Sequence, residues 1–61
     1  MKEYLHFLCI ARGSTAELQT QLLLAQRFKY ITEEECRECV AMVLSVRRQL
    51  NALIAALKKN A

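Results

Sequence analysis

The sequence predicts an all-α protein, an antiparallel helical hairpin that completes a four-helix-type bundle by oligomerisation. Three observations carry that prediction. The chain has 61 residues with no Pro and one Gly, so the usual punctuation of turns and strands is missing. Hydrophobic residues make up 54% of it, above the roughly 45–50% of ordinary globular chains. Two long stretches repeat their apolar residues at alternating spacings of three and four, the period of a helix seam.

The first seam runs Tyr4, Leu8, Ala11, Thr15, Leu18, Leu22 and Ala25, an unbroken a/d alternation over three heptads. It predicts a helix over residues 2–28. Gly13-Ser14-Thr15-Ala16-Glu17 offers an alternative, a helix stop followed by a new capping box, which would give three helices. The apolar phase is the same on both sides of Gly13, and a chain reversal would have no reason to preserve it. One continuous helix is therefore favoured. A mid-helix Gly costs about 1 kcal/mol and permits a neighbouring helix to approach closely.

Between the seams, Thr32 with Glu35 three residues on reads as a capping box. Glu33, Glu34 and Glu35 oppose the positive end of the following helix dipole, and Lys58 and Lys59 complement its other end. The second helix is predicted over residues 33–58. Its seam runs Cys39, Val43, Val46, Leu50, Leu53 and Leu57. So short a connection makes the two helices antiparallel neighbours within one domain, residues 1–61.

Each helix is apolar over more of its circumference than one neighbour can cover. From Tyr4 to Ala11 the sole polar residue is His6; Leu22, Leu23 and Leu24 are consecutive, and Val40 and Ile54 widen the second helix's stripe. At about 100° per residue these positions reach around much of the cylinder. The hairpin supplies one partner to each helix and a second is expected from further copies. A single core of this length is also marginal on its own.

Glu3-Tyr4-Leu5-His6-Phe7-Leu8-Cys9-Ile10-Ala11-Arg12-Gly13-Ser14 resembles the E-F-x-x-F-L-x-I-A-x-G-S stretch of the 23S ribosomal RNA intervening-sequence proteins, also called the four-helix-bundle protein family. Glu17-Leu18, Thr20, Leu22, Ala25, Tyr30-Ile31 and Asn51-Ala52-Leu53-Ile54 continue the pattern. The likeness covers nearly the whole chain but corresponds to the C-terminal half of the family's usual length. An Arg- and Ala-rich first helix with an N-I-A-E-G segment has no counterpart. The resemblance implies two helices of an up-and-down four-helix bundle in a bacterial, cytoplasmic protein, and family members assemble as ring-shaped homopentamers. It also implies kinship with the accessory protein of diversity-generating retroelements, which binds nucleic acid and a reverse transcriptase through a basic surface. It carries over no catalytic residue and no residue-specific nucleic-acid contact. The expected partners are thus further copies of the chain, as dimer or pentamer, with RNA or DNA and a separately encoded N-terminal half as further candidates.

The net charge of +3 and pI near 9.0 are compatible with nucleic acid or an acidic partner. From Cys39 onward, Arg47, Arg48, Lys58 and Lys59 stand without an acid, while Glu33, Glu34, Glu35 and Glu38 gather near the turn. With Arg12 expected opposite about Arg48, these five bases form a candidate phosphate-binding patch that oligomerisation would multiply. The competing reading is dipole compensation and solvated surface. Tyr4 and Tyr30 are too sparse for base-stacking platforms.

No catalytic constellation is expected, and the chain is read as a non-enzyme without cofactor. Cys36-x-x-Cys39 with His6-x-x-Cys9 has zinc-like spacing, but an antiparallel hairpin would hold the two pairs about 24 Å apart. A redox pair at Cys36 and Cys39 would want a strand–helix context. Three cysteines without a secretory context read instead as reduced packing residues in the cytoplasm, with Cys39 on the core seam. Arg12 ends the first apolar run, which argues against a cleaved signal peptide. No uninterrupted apolar run reaches the roughly 20 residues of a bilayer span, so no membrane is expected. Two functions follow: an oligomeric helical scaffold with nonspecific nucleic-acid affinity, or a protein-interaction module that assembles through its seams and binds no nucleic acid.

Overall fold

The computed structural model describes residues 2–59. Two helices, α1 (Lys2–Arg27) and α2 (Glu33–Lys59), pack against each other as an antiparallel hairpin. The Cα envelope measures 45 × 16 × 9 Å, a slab one helix layer thick. Domains ordinarily close a core between two layers, and this slab has no second one of its own.

α1 passes through Gly13 without interruption. The hydroxyls that might have capped a new helix are turned back onto the existing one. Ser14 Oγ donates to the Ile10 carbonyl at 3.1 Å and Thr15 Oγ1 to the Arg12 carbonyl at 2.6 Å, the back-bonding that Ser and Thr use inside helices. A Cβ placed at Gly13 would meet nothing within 4 Å. The close approach that this glycine permits is therefore not used inside the hairpin.

The turn is specified on both sides. Lys29 takes the left-handed conformation at φ 66°, and the Tyr30 N–H donates to the Ala25 carbonyl at 2.8 Å while the Lys29 N–H donates to Gln26 at 3.0 Å. That pair of bonds is the Schellman ending, which satisfies carbonyls orphaned at a helix C-terminus. Two residues later the capping box forms as expected. The Thr32 N–H donates to Glu35 Oε1 at 2.9 Å, and the Glu35 N–H donates to Thr32 Oγ1 at 3.0 Å. Hydrogen bonding from Thr32 to the Glu35 carboxyl, its backbone N–H first and its side chain second, holds that carboxyl below its ordinary value.

The contact between the helices is centred one position away from the predicted seam. Leu8, Ala11, Thr15, Leu22 and Ala25 of α1 do face inward, as do Val43, Leu50 and Leu57 of α2. The best-buried side chains of α2, however, are Cys36 at 4% and Ile54 at 2% exposure, with Val43. Cys39, Val46 and Leu53, assigned to the core by the heptad count, are exposed, and so are Tyr4 and Leu18 of α1. The contacting row on α2 reads Cys36, Val40, Val43, Arg47, Leu50, Ile54 and Leu57, the same alternation in a neighbouring phase. The physical reason is polar. Arg47 Nε donates to Thr15 Oγ1 at 2.9 Å and its Nη2 to Gln19 Oε1 at 2.8 Å. This cross-helix knot rotates α2 toward Arg47 and turns its Cys39–Val46–Leu53 row outward. Among the described residues no buried side-chain nitrogen or oxygen lacks a partner.

Candidate assembly and nucleic-acid surfaces

The rotation divides the hairpin into two chemically different broad faces. On one, Leu18, Leu22, Cys39, Met42 and Val43 line a shallow apolar groove between the helices. At about 100° per residue, Phe7 extends the same flank of α1 toward the open end, and Val46 and Leu53 extend that of α2. All three are exposed, and Met42 is 69% exposed. The predicted seam thus splits into a closed half that joins the two helices and an open half that joins nothing among the described residues. Met42 lies off the predicted seam. Its place three residues after Cys39 and four before Val46 is the signal that marks it as part of this row.

On the opposite face Ala41, Leu44, Arg47, Arg48 and Asn51 line a second depression. Arg12 Nη1 donates to Asn51 Oδ1 at 3.1 Å, so Arg12 joins Arg47 and Arg48 there, facing Asn51 rather than Arg48. Cys36 meets Leu22, its Sγ donating to that carbonyl at 3.5 Å; measured from the turn this offset is opposite in sense to that of Arg12 and Asn51, so the two contacts reflect side-chain reach rather than a shift of register. The five candidate bases differ in what they already do. Arg47 is engaged twice across the hairpin and Arg12 once, whereas Arg48 is exposed, as are Lys58 and Lys59 in the last turn of α2. Asn51 and Gln19 belong to this polar network without a sequence signal of it, because isolated uncharged polar residues read as surface, whereas Thr15 is buried on the seam where the heptad count put it.

Charge is also divided end to end. The half of the hairpin nearer the turn, residues 16–46, carries Glu17, Glu33, Glu34, Glu35 and Glu38 against Arg27, Lys29 and Arg37, a net −2. The open half carries Lys2, Arg12, Arg47, Arg48, Lys58 and Lys59 against Glu3, a net +5. An exposed Arg37–Glu33 contact at 3.8 Å adds little at such solvent access.

The cysteines do not converge. Cys36 is buried, Cys9 half-buried and Cys39 exposed, all as free thiols. Among the described residues no three His, Cys, Asp or Glu side chains come together as a metal site.

A scan against protein families matches residues 1–52 to the family described as 23S rRNA-intervening sequence protein. The chain belongs to that family. No match was found among curated proteins or among solved structures. In this intervening-sequence protein α2 is long and apolar enough to cross a membrane by length and composition, with a mean hydropathy of 1.4 over its best stretch. The absence of an unbroken apolar run did not reveal that property. Arg47 and Arg48 stand near the middle of the helix, where a bilayer tolerates charge least, and Arg47 is hydrogen-bonded to α1.

Proposed function

We propose that this intervening-sequence protein is a non-enzymatic, cytoplasmic helical scaffold that assembles through its open apolar face and binds nucleic acid without sequence preference through its basic face. The observation that carries the reading is the placement of the two surfaces on opposite flanks of one slab. Covering the Leu18–Met42 groove leaves Arg48 and its neighbours accessible, and each added copy repeats the bases. Assembly thereby raises the local density of positive charge, which governs affinity for a phosphate backbone. The apolar character of α2 serves helix packing rather than a membrane, with Arg47 holding it to α1. A separately encoded N-terminal half of the family bundle is a further candidate to cover the groove.

The test is retardation of RNA and DNA across a salt series. Binding falls steeply with salt, and Arg48→Gln weakens it on all sequences while lowering the slope of log affinity against log salt by about 1. Binding that ignores salt, or no binding at low salt, removes the nucleic-acid part. One observation favours the narrower alternative, an assembly module without nucleic acid: Arg12 and Arg47 already spend hydrogen bonds inside the hairpin. Replacing Arg48, Lys58 and Lys59 by Gln leaves assembly unchanged under either reading.

A further inference from the structure

We infer that Cys36 and Cys39 form a thiol–disulfide switch at the turn end of α2, oxidised by a low-molecular-weight disulfide and reversed by thiols. This reading stands apart from the proposed assembly and nucleic-acid binding. Both cysteines lie against the same residue of α1. Cys36 is buried at 4% exposure, with its Sγ donating to the Leu22 carbonyl at 3.5 Å. Cys39 is exposed and lines the open groove together with Leu22. Both are free thiols. The strand–helix setting of a catalytic redox pair has no counterpart among the described residues, so the pair is a switch rather than a redox catalyst.

Helix geometry decides what kind of bond this pair can make. Residues three apart on a helix have Cα atoms about 5 Å apart, inside the roughly 4.4–6.8 Å that a disulfide spans. Their Cβ atoms stand about 5–6 Å apart, against about 3.5–4.5 Å in an unstrained link. The bond therefore forms only if the helix yields by about 1–2 Å, and a strained link is a readily reduced one. Position keeps that yielding local. The Cys36 N–H donates to the Thr32 carbonyl at 2.9 Å and so closes the first turn of α2, and the amides before it have no intrahelical partner. Moving Cys36 toward Cys39 concentrates the strain in that turn. Cys39, being exposed, attacks first as the thiolate. Its sulfur bonds to one sulfur of the reagent, whose S–S bond breaks and releases a thiol carrying the proton that Cys39 gave up. The Cys36 sulfur then loses its proton and displaces the second thiol, which closes the 36–39 bond. Two cysteine thiols are oxidised and one reagent disulfide is reduced to two thiols. The link costs Cys36 its bond to Leu22 and draws Cys39 from the groove, so oxidation loosens the turn end of the hairpin.

The test is treatment of the 61-residue chain with oxidised glutathione, followed by intact mass, alkylation of the remaining thiols and tryptic mapping. Arg37 lies between the two cysteines, so cleavage after it leaves them on separate peptides that the link holds together. The expected product has the covalent mass of one chain less two hydrogens, with 36 joined to 39 and Cys9 alkylated. Its thermal unfolding midpoint is expected to be lower than that of the reduced chain and to return with dithiothreitol. Cys39→Ser, at an exposed position, is expected to form no link and to keep its midpoint under the same oxidant. Three alkylated thiols, glutathione retained on Cys39, or a link through Cys9 or between chains overturns the pair. A 36–39 link with an unchanged midpoint, or a midpoint that falls equally in Cys39→Ser, overturns the switch.

Discussion

Ile54 and Leu53 are adjacent, similar in size and equally apolar, yet one is 2% and the other 40% exposed. They belong to the two apolar rows of α2, the closed row against α1 and the open row beside it. Hydrophobicity does not distinguish these rows; the polar bonds between the helices do. Arg47 on Thr15 and Gln19, with Arg12 on Asn51, holds the closed row in place. A polar residue inside an apolar seam costs stability and specifies which partner and register are allowed. The difference teaches that the hairpin is chosen by its polar contacts, while the demand for a further layer comes from the apolar surface they leave over.

Substitutions in and around the two rows break or sharpen that contrast, in falling order of expected effect. Met42→Glu puts a carboxylate into the open row, and burying an unpaired charge costs several kcal/mol. It is expected to abolish assembly in sedimentation experiments; an unchanged mass would mean that the row is not an interface. Ile54→Ala removes the best-buried side chain of the closed row. It is expected to lower stability by about 2–5 kcal/mol in denaturant unfolding at protein concentrations that keep the chain assembled. Leu53→Ala acts instead on the concentration dependence, and equal effects at every concentration would erase the distinction between rows.

Lys29→Gly touches neither row. It relieves the left-handed backbone at φ 66° and is expected to raise stability by about 1 kcal/mol, seen as a higher unfolding midpoint with the same oligomer mass. The smallest effect is with pH. The Glu35 carboxyl titrates below its ordinary value because of its bonds to Thr32. Its stabilisation is fully present above the unfolded-state value near 4.3 and fades as pH falls through the lowered folded value. Glu35→Gln is expected to flatten that acid limb; a limb identical in both proteins would show that the cap is not its source.

The turn was legible in the sequence because its signals are local. Thr32 and Glu35 stand three apart and bond to each other whatever the rest of the chain does. The continuity of α1 through Gly13 was legible for a related reason, since the apolar phase on either side agrees. The Schellman ending was not, because Lys29 carries none of the glycine signature that normally marks a left-handed residue. Which apolar row closes the hairpin was also hidden. A heptad count centred on Cys39 and Leu53 averages two neighbouring rows, and Gln19 and Arg47, which bond to each other across the hairpin beside the seam residue Thr15, look like ordinary surface residues until the helices are side by side. Among the candidate bases, composition located the basic end but could not separate Arg48, which is exposed, from Arg47, whose hydrogen bonds lie within the hairpin.

The proposed assembly makes the persistence of the helical fold depend on another copy covering the open apolar row. Far-ultraviolet circular dichroism of the unaltered chain, followed on dilution through the micromolar range with mass measured in parallel, tests it most directly, because assembly-linked stability depends on concentration. Helical signal and oligomer mass are expected to fall together. A chain that stays fully helical and monomeric at every concentration would contradict the claim.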